Sequence, residues 1–260
     1  MPVILVTNDD GINAAGLQAL IEELRHEVKI LVVAPESQRS GESKALTFQA
    51  PLRAKKVNSD LSSIYAINGT PADAVVLGSH LAKRMFGQSP DLVVSGINAG
   101  DNTSIHAILT SGTCAAAFEA AIMGIPAVAF SRKVPPNEFF ENGRINDFQV
   151  CAKRARTIVK KLLVKKLPSE VAFLNVNFPV EVSLSTSVLL TKISPIGYTV
   201  DVQEIRDPRG TSVYWVWGPM KEEFEPGTDI HTLLVENKIS ITPITLSLSA
   251  PPESITALGL

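Results

Sequence analysis

Five short, uninterrupted aliphatic runs constrain this chain more than anything else in it. They are "VILVT" at 3–7, "VKILVVAP" at 28–35, "DLVVSGIN" at 91–98, "PAVAFS" at 126–131 and "VAFLNVNFP" at 171–179. A strand with one wet face alternates polar and apolar residues. One that does not alternate is covered on both faces, as in a parallel sheet sandwiched between helices. Helical patterns fill the gaps. Leu17, Leu20, Ile21 and Leu24 predict a helix over 14–25. In "NGTPADAV" the chain turns at Gly69, with Thr70 as N-cap, Pro71 as first helical residue and Asp73 as an acid in the first turn. "SGTCAAAFEAAIMG" is a small-residue helix closed by Gly124, and Phe148, Cys151, Ala155, Ile158, Val159 and Leu162 mark another.

Repeated strand–helix–strand units predict an α/β fold: a doubly wound, mostly parallel, Rossmann-like sheet with right-handed crossovers. "LTFQAPLRAKKV" is extended, and Pro51 argues for an edge position. After Pro179 the texture becomes strand-rich, with "VLLTKIS", "YTVDVQEI", "SVYWVWG" and "KISITPITLSL" and little helix before 250–258. We therefore divide the chain into an α/β catalytic core over 1–180 and a β-rich C-terminal extension over 181–260. Hairpin arms of this kind pair between subunits, which predicts a homo-oligomer.

The formal net charge of the 260 residues is −2, which leaves no whole-chain electrostatic footprint for nucleic acid or an anionic membrane. Lys160, Lys161, Lys165 and Lys166 read as the solvated face and end of a helix. Cys114 and Cys151 have no partner at metal-ligand spacing and fall in apolar, helical surroundings, so both are expected buried and reduced. The first apolar run is too short for a signal segment, and no stretch approaches the ~20 apolar residues that span a bilayer. A cytoplasmic protein is expected.

In open α/β sheets ligands bind beyond the carboxyl ends of the strands, near the switch point in strand order. The residues there are Asn8, Asp9 and Asp10 after the first strand, and Arg39, Ser40, Gly41 and Ser43 after the second. Gly96, Asn98, Gly100 and Asn102 follow "DLVVS", and Ser111, Gly112 and Thr113 open the small-residue helix. Two aspartates with Ser and Asn oxygens suit Mg²⁺, Mn²⁺ or Ca²⁺ rather than Zn²⁺. One Asp in this place would serve as a turn residue or cap; two in succession after a buried strand fit a cation better. Ser-Gly-Thr before a helix suits a phosphate, although plain N-capping has the same signature. Neither a P-loop nor a GxGxxG follows the first strand, which disfavours a nucleoside triphosphatase or an NAD enzyme. His106 offers an acid–base group but reads as a loop residue, while His80 and His231 read as structural.

Taken together, "ILVTNDDGINAAGL", "VVAPESQRSGESKALT", "INGTPADAV", "PDLVVSGINAGDN", "SGTCAAAFEAAIMGIPAVAFS", "LNVNFP", "RDPRGTSVYW" and "GTDIHTLLVENKISITPI" resemble the SurE family of metal-dependent nucleoside-monophosphate phosphatases, over nearly the whole length. The resemblance implies one divalent cation, Mg²⁺ or Mn²⁺, on Asp9, Asp10, Ser40 and Asn98. It implies phosphate contacts from Ser111, Gly112 and Thr113 and a substrate-side role for Asn102; Asn8, Gly41 and Ser43 complete the expected substrate surroundings. It further implies hydrolysis of nucleoside 5′- and 3′-monophosphates, with short polyphosphate as a further substrate, and dimers or tetramers that exchange C-terminal elements. There are two departures from the family pattern: Asp101 where many members carry Pro, which places another acid close to the metal, and Leu109-Thr110 where an aromatic or His often precedes Ser-Gly-Thr.

The chemistry that follows is water attack on phosphorus with Asp9 and Asp10 as the catalytic carboxylates, Asp9 taking the proton. Direct attack by an Asp ranks below it, because the D-x-D spacing of haloacid-type phosphatases is absent. Two other readings share the acid pair. A signalling receiver domain would cast Ser131 and Lys133 in its later strand-end roles but needs an Asp where this chain has "SGIN". A non-catalytic nucleotide-binding module would keep the same ligands.

Overall fold

The computed structural model describes residues 1–57, 63–135, 143–216, 218–219, 223–251, 253–254 and 256. The apolar runs form β1 (Val3–Thr7), β2 (Lys29–Pro35), β5 (Leu92–Ala99), β6 (Ala127–Arg132) and β7 (Phe173–Phe178). Between them lie α1 (Ala15–Leu24), β3 (Ala54–Lys56), β4 (Ile64–Ile67), α2 (Pro71–Phe86), α3 (Ser104–Thr110), α4 (Gly112–Ile122) and α5 (Ile145–Val164). The remainder contributes β8 (Val188–Leu190), β9 (Val202–Arg206), β10 (Ser212–Val216), α6 (Asp229–Leu234) and β11 (Ile239–Ile244).

One nine-stranded sheet runs in the order β3-β4-β2-β1-β5-β6-β7-β11-β8. From β4 to β7 neighbouring strands pair in parallel; β3 is an antiparallel edge on β4, and β11 returns antiparallel to β7. The expected mixed α/β class with a mostly parallel sheet is what the chain adopts. The order reverses direction between β1 and β5, so the crevice above their carboxyl ends is the switch point.

Each buried strand serves two cores because successive side chains point to opposite faces. Ile4, Val6, Val94, Val128 and Phe130 pack under α1 and α5 with Leu17, Leu20, Phe148 and Val159. Val3, Leu5, Val93, Ala127 and Ala129 pack under α2 and α4 with Ala74, Val75, Ala116 and Ala120. Thr70 caps α2 as read from the sequence: its hydroxyl accepts from Asp73 N at 3.1 Å, and Asp73 Oδ2 accepts from Thr70 N at 2.9 Å. Lys160, Lys161, Lys165 and Lys166 are exposed, and Lys160 pairs with Glu27 at 2.6 Å. Both cysteines are buried free thiols.

One reading is corrected. His106 sits on α3, not in a loop. That short helix escaped detection because it has no side-chain cap and starts at Ser104 with φ +72°. A second helix, α6, interrupts the strand-rich region; its six residues are too few to display a periodicity. β8 and β11 extend the main sheet, and among the described residues only β9 and β10 form a separate antiparallel hairpin. Trp217 of "SVYWVWG" and residues 252, 255, 257 and 258 of the expected 250–258 helix lie outside the described residues. No single helix among the described residues is long and apolar enough to cross a membrane.

Candidate active site

The loop after β1 is built around Asn8, which is fully buried and donates from Nδ2 to the Gly11 carbonyl at 3.0 Å. Its Oδ1 has no hydrogen-bond partner among the described residues. Asp9, 4 % exposed, accepts a hydrogen bond on Oδ1 from the Thr113 hydroxyl. Burial drives the Asp9 carboxyl well above the usual carboxylate range, while Thr113 and the N–H groups of Gly112 and Thr113 at the start of α4 work against that rise. Asp10 accepts from Ala99 N at 3.1 Å. Burial, and then the charge of Asp9, push its pKa up to about 8. Asp9 is thus held out of water, with half-buried Asp10 beside it and few donors to satisfy the two.

Do these groups fit a hard cation? Asn98 donates its amide nitrogen to the Gly100 carbonyl at 2.8 Å, which fixes the side chain and leaves its Oδ1 for another partner. Ser40 Oγ accepts from Gln38 Nε2 at 2.8 Å and keeps a lone pair. Among the described residues no three His, Cys, Asp or Glu side chains come together. The donors near the pair are therefore neutral oxygens, the chemistry of Mg²⁺, Mn²⁺ or Ca²⁺ rather than of a soft-ligand metal. The mutual repulsion of Asp9 and Asp10 and the unpartnered Asn8 Oδ1 point the same way, so the residues fit a divalent cation.

The backbone arranges this through two tight glycines. The β5–β6 register shifts between Ser95 and Asn98, and Gly96 at φ +126° passes so near the Phe130 carbonyl that a Cβ would stand 2.3 Å from it. That irregularity carries Asn98 to the strand mouth, opposite Ser131. Gly112 lets α4 close onto the acid pair, where a Cβ would meet Asp9 Cβ at 2.6 Å.

A cavity of about 760 Å³ opens over this crevice, with Asp9, Ser40, Gly41, Asn98, Asn102 and Ser111 on its wall. Ser111 sits at the 74° bend between α3 and α4. It accepts from Cys114 N at 3.1 Å as the N-cap of α4, and its hydroxyl proton stays available toward the cavity. Asn102 is rigid: its N–H donates to Asn177 Oδ1 at 2.8 Å, its Nδ2 to Ser131 Oγ at 2.9 Å, and its carbonyl accepts from Asn175 Nδ2 at 2.7 Å. The remaining expected residues stand behind the wall. Gly112 and Thr113 support Asp9, Asn8 shapes the turn, and Ser43 donates to the Leu109 carbonyl at 2.6 Å, tying the loop after β2 to α3.

Sequence reasoning missed a second group on the same wall. Lys133, just past β6, donates to Asp101 Oδ1 at 2.8 Å and to the Tyr198 hydroxyl at 3.2 Å, and all three residues line the cavity. Asp101, read as an extra acid near the metal, is therefore ion-paired with Lys133. From the sequence Lys133 reads only as a receiver-type lysine, and Tyr198 comes from a segment far along the chain, with no local signal to connect it. His106 also reaches the wall. His80 is exposed on α2, and His231 Nδ1 lies 3.3 Å from Glu236; neither lines the cavity.

The family model for "Survival protein SurE" matches residues 4–200. A protein named 5′-nucleotidase SurE from Methanocella arvoryzae is 39 % identical over 254 residues, which cover 97 % of this chain and 95 % of that one. A protein of the same name from Thermococcus gammatolerans is 42 % identical over 248 residues, covering 95 % and 91 %. Among solved structures, the SurE protein from Aquifex aeolicus superposes with a TM-score of 0.80 at 35 % identity, with both chains covered completely. A motif series running from end to end, the doubly wound fold and full-length likeness agree: the chain belongs to the SurE family.

Proposed function

We propose that this chain is a metal-dependent phosphomonoesterase that hydrolyses nucleoside 5′-monophosphates, and 3′-monophosphates as well, to nucleoside and phosphate, with short polyphosphate as a further substrate. One observation carries the reading: buried Asp9, with half-buried Asp10 beside it, follows β1 at the β1/β5 switch point, and Asp9 lines a cavity of nucleotide size. The names of its SurE relatives support the same activity.

Asp9, Asp10, Ser40 and Asn98 would hold one Mg²⁺ or Mn²⁺. Bound there, the cation supplies positive charge against the phosphate oxygens and a lowered pKa for attacking water. The chain's own groups do the rest. Asp9, held in place by Thr113 and the first N–H groups of α4, accepts the proton of the attacking water, help worth about 10²–10⁴ in rate. The Ser111 hydroxyl donates to a phosphate oxygen, and Asn102, fixed by three neighbours, borders the ester. Gly41 leaves its side of the mouth open, while Gly112 keeps Asp9 against α4. Direct attack by an Asp ranks lower, because Asp9 already accepts from Thr113 and from α4 and is poorly free to reach phosphorus.

The division into a catalytic core over 1–180 and an extension over 181–260 used for assembly into dimers or tetramers is supported by the exposed apolar residues of the β9–β10 hairpin. Work in the cytoplasm is supported by the two unpaired thiols. The test is phosphate release across a panel of mononucleotides with Mg²⁺ and Mn²⁺ varied. Turnover is expected with either ion and is expected to vanish in chelator; full turnover in chelator overturns the metal reading.

A further inference from the structure

We propose that Lys133, clamped by Asp101 and Tyr198, is the specificity-determining donor that reads the sugar hydroxyls of the nucleotide. The inference rests on the phosphatase reading and deepens it.

Position comes first. Ser131 lies opposite Asn98 in the β5–β6 ladder, and Lys133 follows two residues later, its N–H donating to the Phe178 carbonyl at 2.9 Å in continued extended register. Two residues of strand carry the chain roughly 6–7 Å. Lys133 therefore follows further out along the crevice than the level of Asn98, and its side chain lines the same cavity as Asp9 and Asn98.

Chemistry comes second. An ammonium has three protons. Asp101 takes one at 2.8 Å and the Tyr198 hydroxyl another at 3.2 Å, so one remains, and the Lys133 side chain keeps 21 % of its surface open on the cavity wall. Asp101 is only 3 % exposed and balances the charge of Lys133. A second anionic group would meet an already compensated ion pair, whereas a neutral hydroxyl suits a positioned donor that carries little net field. Asp101 also keeps Lys133 protonated against the opposing effect of burial. The same cavity wall also carries Val134, Val200, Val216, Pro219 and the Tyr198 ring, apolar surface that suits a base rather than another phosphate.

The test uses the full chain with Mg²⁺ or Mn²⁺. It compares kcat/KM for one ribonucleoside 5′-monophosphate with those for its 2′-deoxy and 3′-deoxy counterparts, in the wild type, Lys133→Met, Lys133→Arg and Tyr198→Phe. The wild type is expected to prefer the ribonucleotide by about tenfold or more over at least one deoxy form. Lys133→Met should bring that ratio close to one, Tyr198→Phe should lower it partway, and Lys133→Arg should retain part of it. A wild type without preference, or a ratio unchanged in Lys133→Met, overturns the inference. Should Lys133→Met fail to fold, Tyr198→Phe and Lys133→Arg decide by the same ratio. A wild type that releases no phosphate from any nucleotide or from p-nitrophenyl phosphate overturns the phosphatase reading instead. Calorimetric binding of the nucleoside and its deoxy forms then still judges Lys133 by the same ratio.

Discussion

At the scale of single residues, the proposed metal site predicts an exchange of metal for proton at the acid pair. Burial, and then the charge of Asp9, push the Asp10 carboxyl up to about 8 in the metal-free fold, against an ordinary value of 3.8. The folded protein therefore holds a proton between those values that the unfolded chain has already released. By linkage, its contribution to stability is fully present below pH 3.8 and is lost as pH rises toward 8. In chelator, the melting temperature of the wild type should fall through that window. Asp10→Asn, which removes one of the two raised carboxyls, should flatten the slope, and added Mg²⁺ should raise the wild-type melting temperature most at the alkaline end. Melts from pH 5 to 8.5 check this, and equal slopes in the two proteins would falsify the proton-for-metal exchange. Gly112 invites a second prediction. A methyl there would press on Asp9 Cβ at 2.6 Å and on Oδ2 at 3.0 Å. Gly112→Ala should cost about 1–3 kcal/mol in stability through overpacking. It should lower kcat by about 10² or more, since small displacements of a reacting group are costly. Unchanged turnover in steady-state kinetics would mean that Asp9 tolerates displacement.

At the scale of elements, the strands around the switch point were legible because burial on both faces leaves no polar alternation, and strand ends follow from where those runs stop. Asp9, Asp10, Ser40, Asn98 and Ser111 could therefore be placed at one crevice from their positions alone. What stayed hidden depends on tertiary support. Tyr198 reaches Lys133 across 65 residues of sequence, a distance over which a single sequence carries no pairing signal. Helix α3 has neither the length nor the cap to declare itself, and Asp229 of α6 holds it in place. Fully buried Asp229 accepts from Ser104 N through Oδ2 and from Ser194 N through Oδ1, each at 2.9 Å. Ser104 is held at a left-handed φ of +72°, a conformation that L residues avoid without such anchorage. Asp229→Ala leaves both N–H groups without that acceptor and should destabilise the protein by about 2–5 kcal/mol. Because α3 carries His106 to the cavity wall, KM for nucleotide should rise as well. Denaturant unfolding reads the first effect and steady-state kinetics the second; a variant as stable as the wild type would mean that α3 is anchored elsewhere.

At the scale of the whole molecule, the hairpin of β9 and β10 is the part that the rest of the chain does not explain. Its strands pair with each other from Val202 opposite Val216 to Arg206 opposite Ser212 and stand outside the nine-stranded sheet. Val202, Ile205, Tyr214, Trp215 and Val216 are between 48 and 67 % exposed, which is an unusual concentration of apolar surface for an arm surrounded by solvent. A two-stranded hairpin is at best marginally stable in water without a surface to cover it. A second copy of the chain would supply one, burying the two arms against each other or against the partner's core. β10 delivers Val216 to the cavity, and the segments flanking the hairpin deliver Tyr198, Val200 and Pro219, so assembly and catalysis should be coupled through it. Replacing Tyr214 and Trp215 with Ser removes the largest apolar contacts, while both side chains lie off the cavity wall. Light scattering coupled to size exclusion should then report a smaller species than the wild type at equal concentration. Nucleotide turnover should fall by about tenfold with Asp9 and Asp10 untouched, because the arm would no longer hold its side of the cavity. A double variant that keeps the wild-type mass would place the assembly contact elsewhere. One that loses mass but keeps full kcat/KM would show that a single arm completes the cavity of its own chain without help from a neighbour.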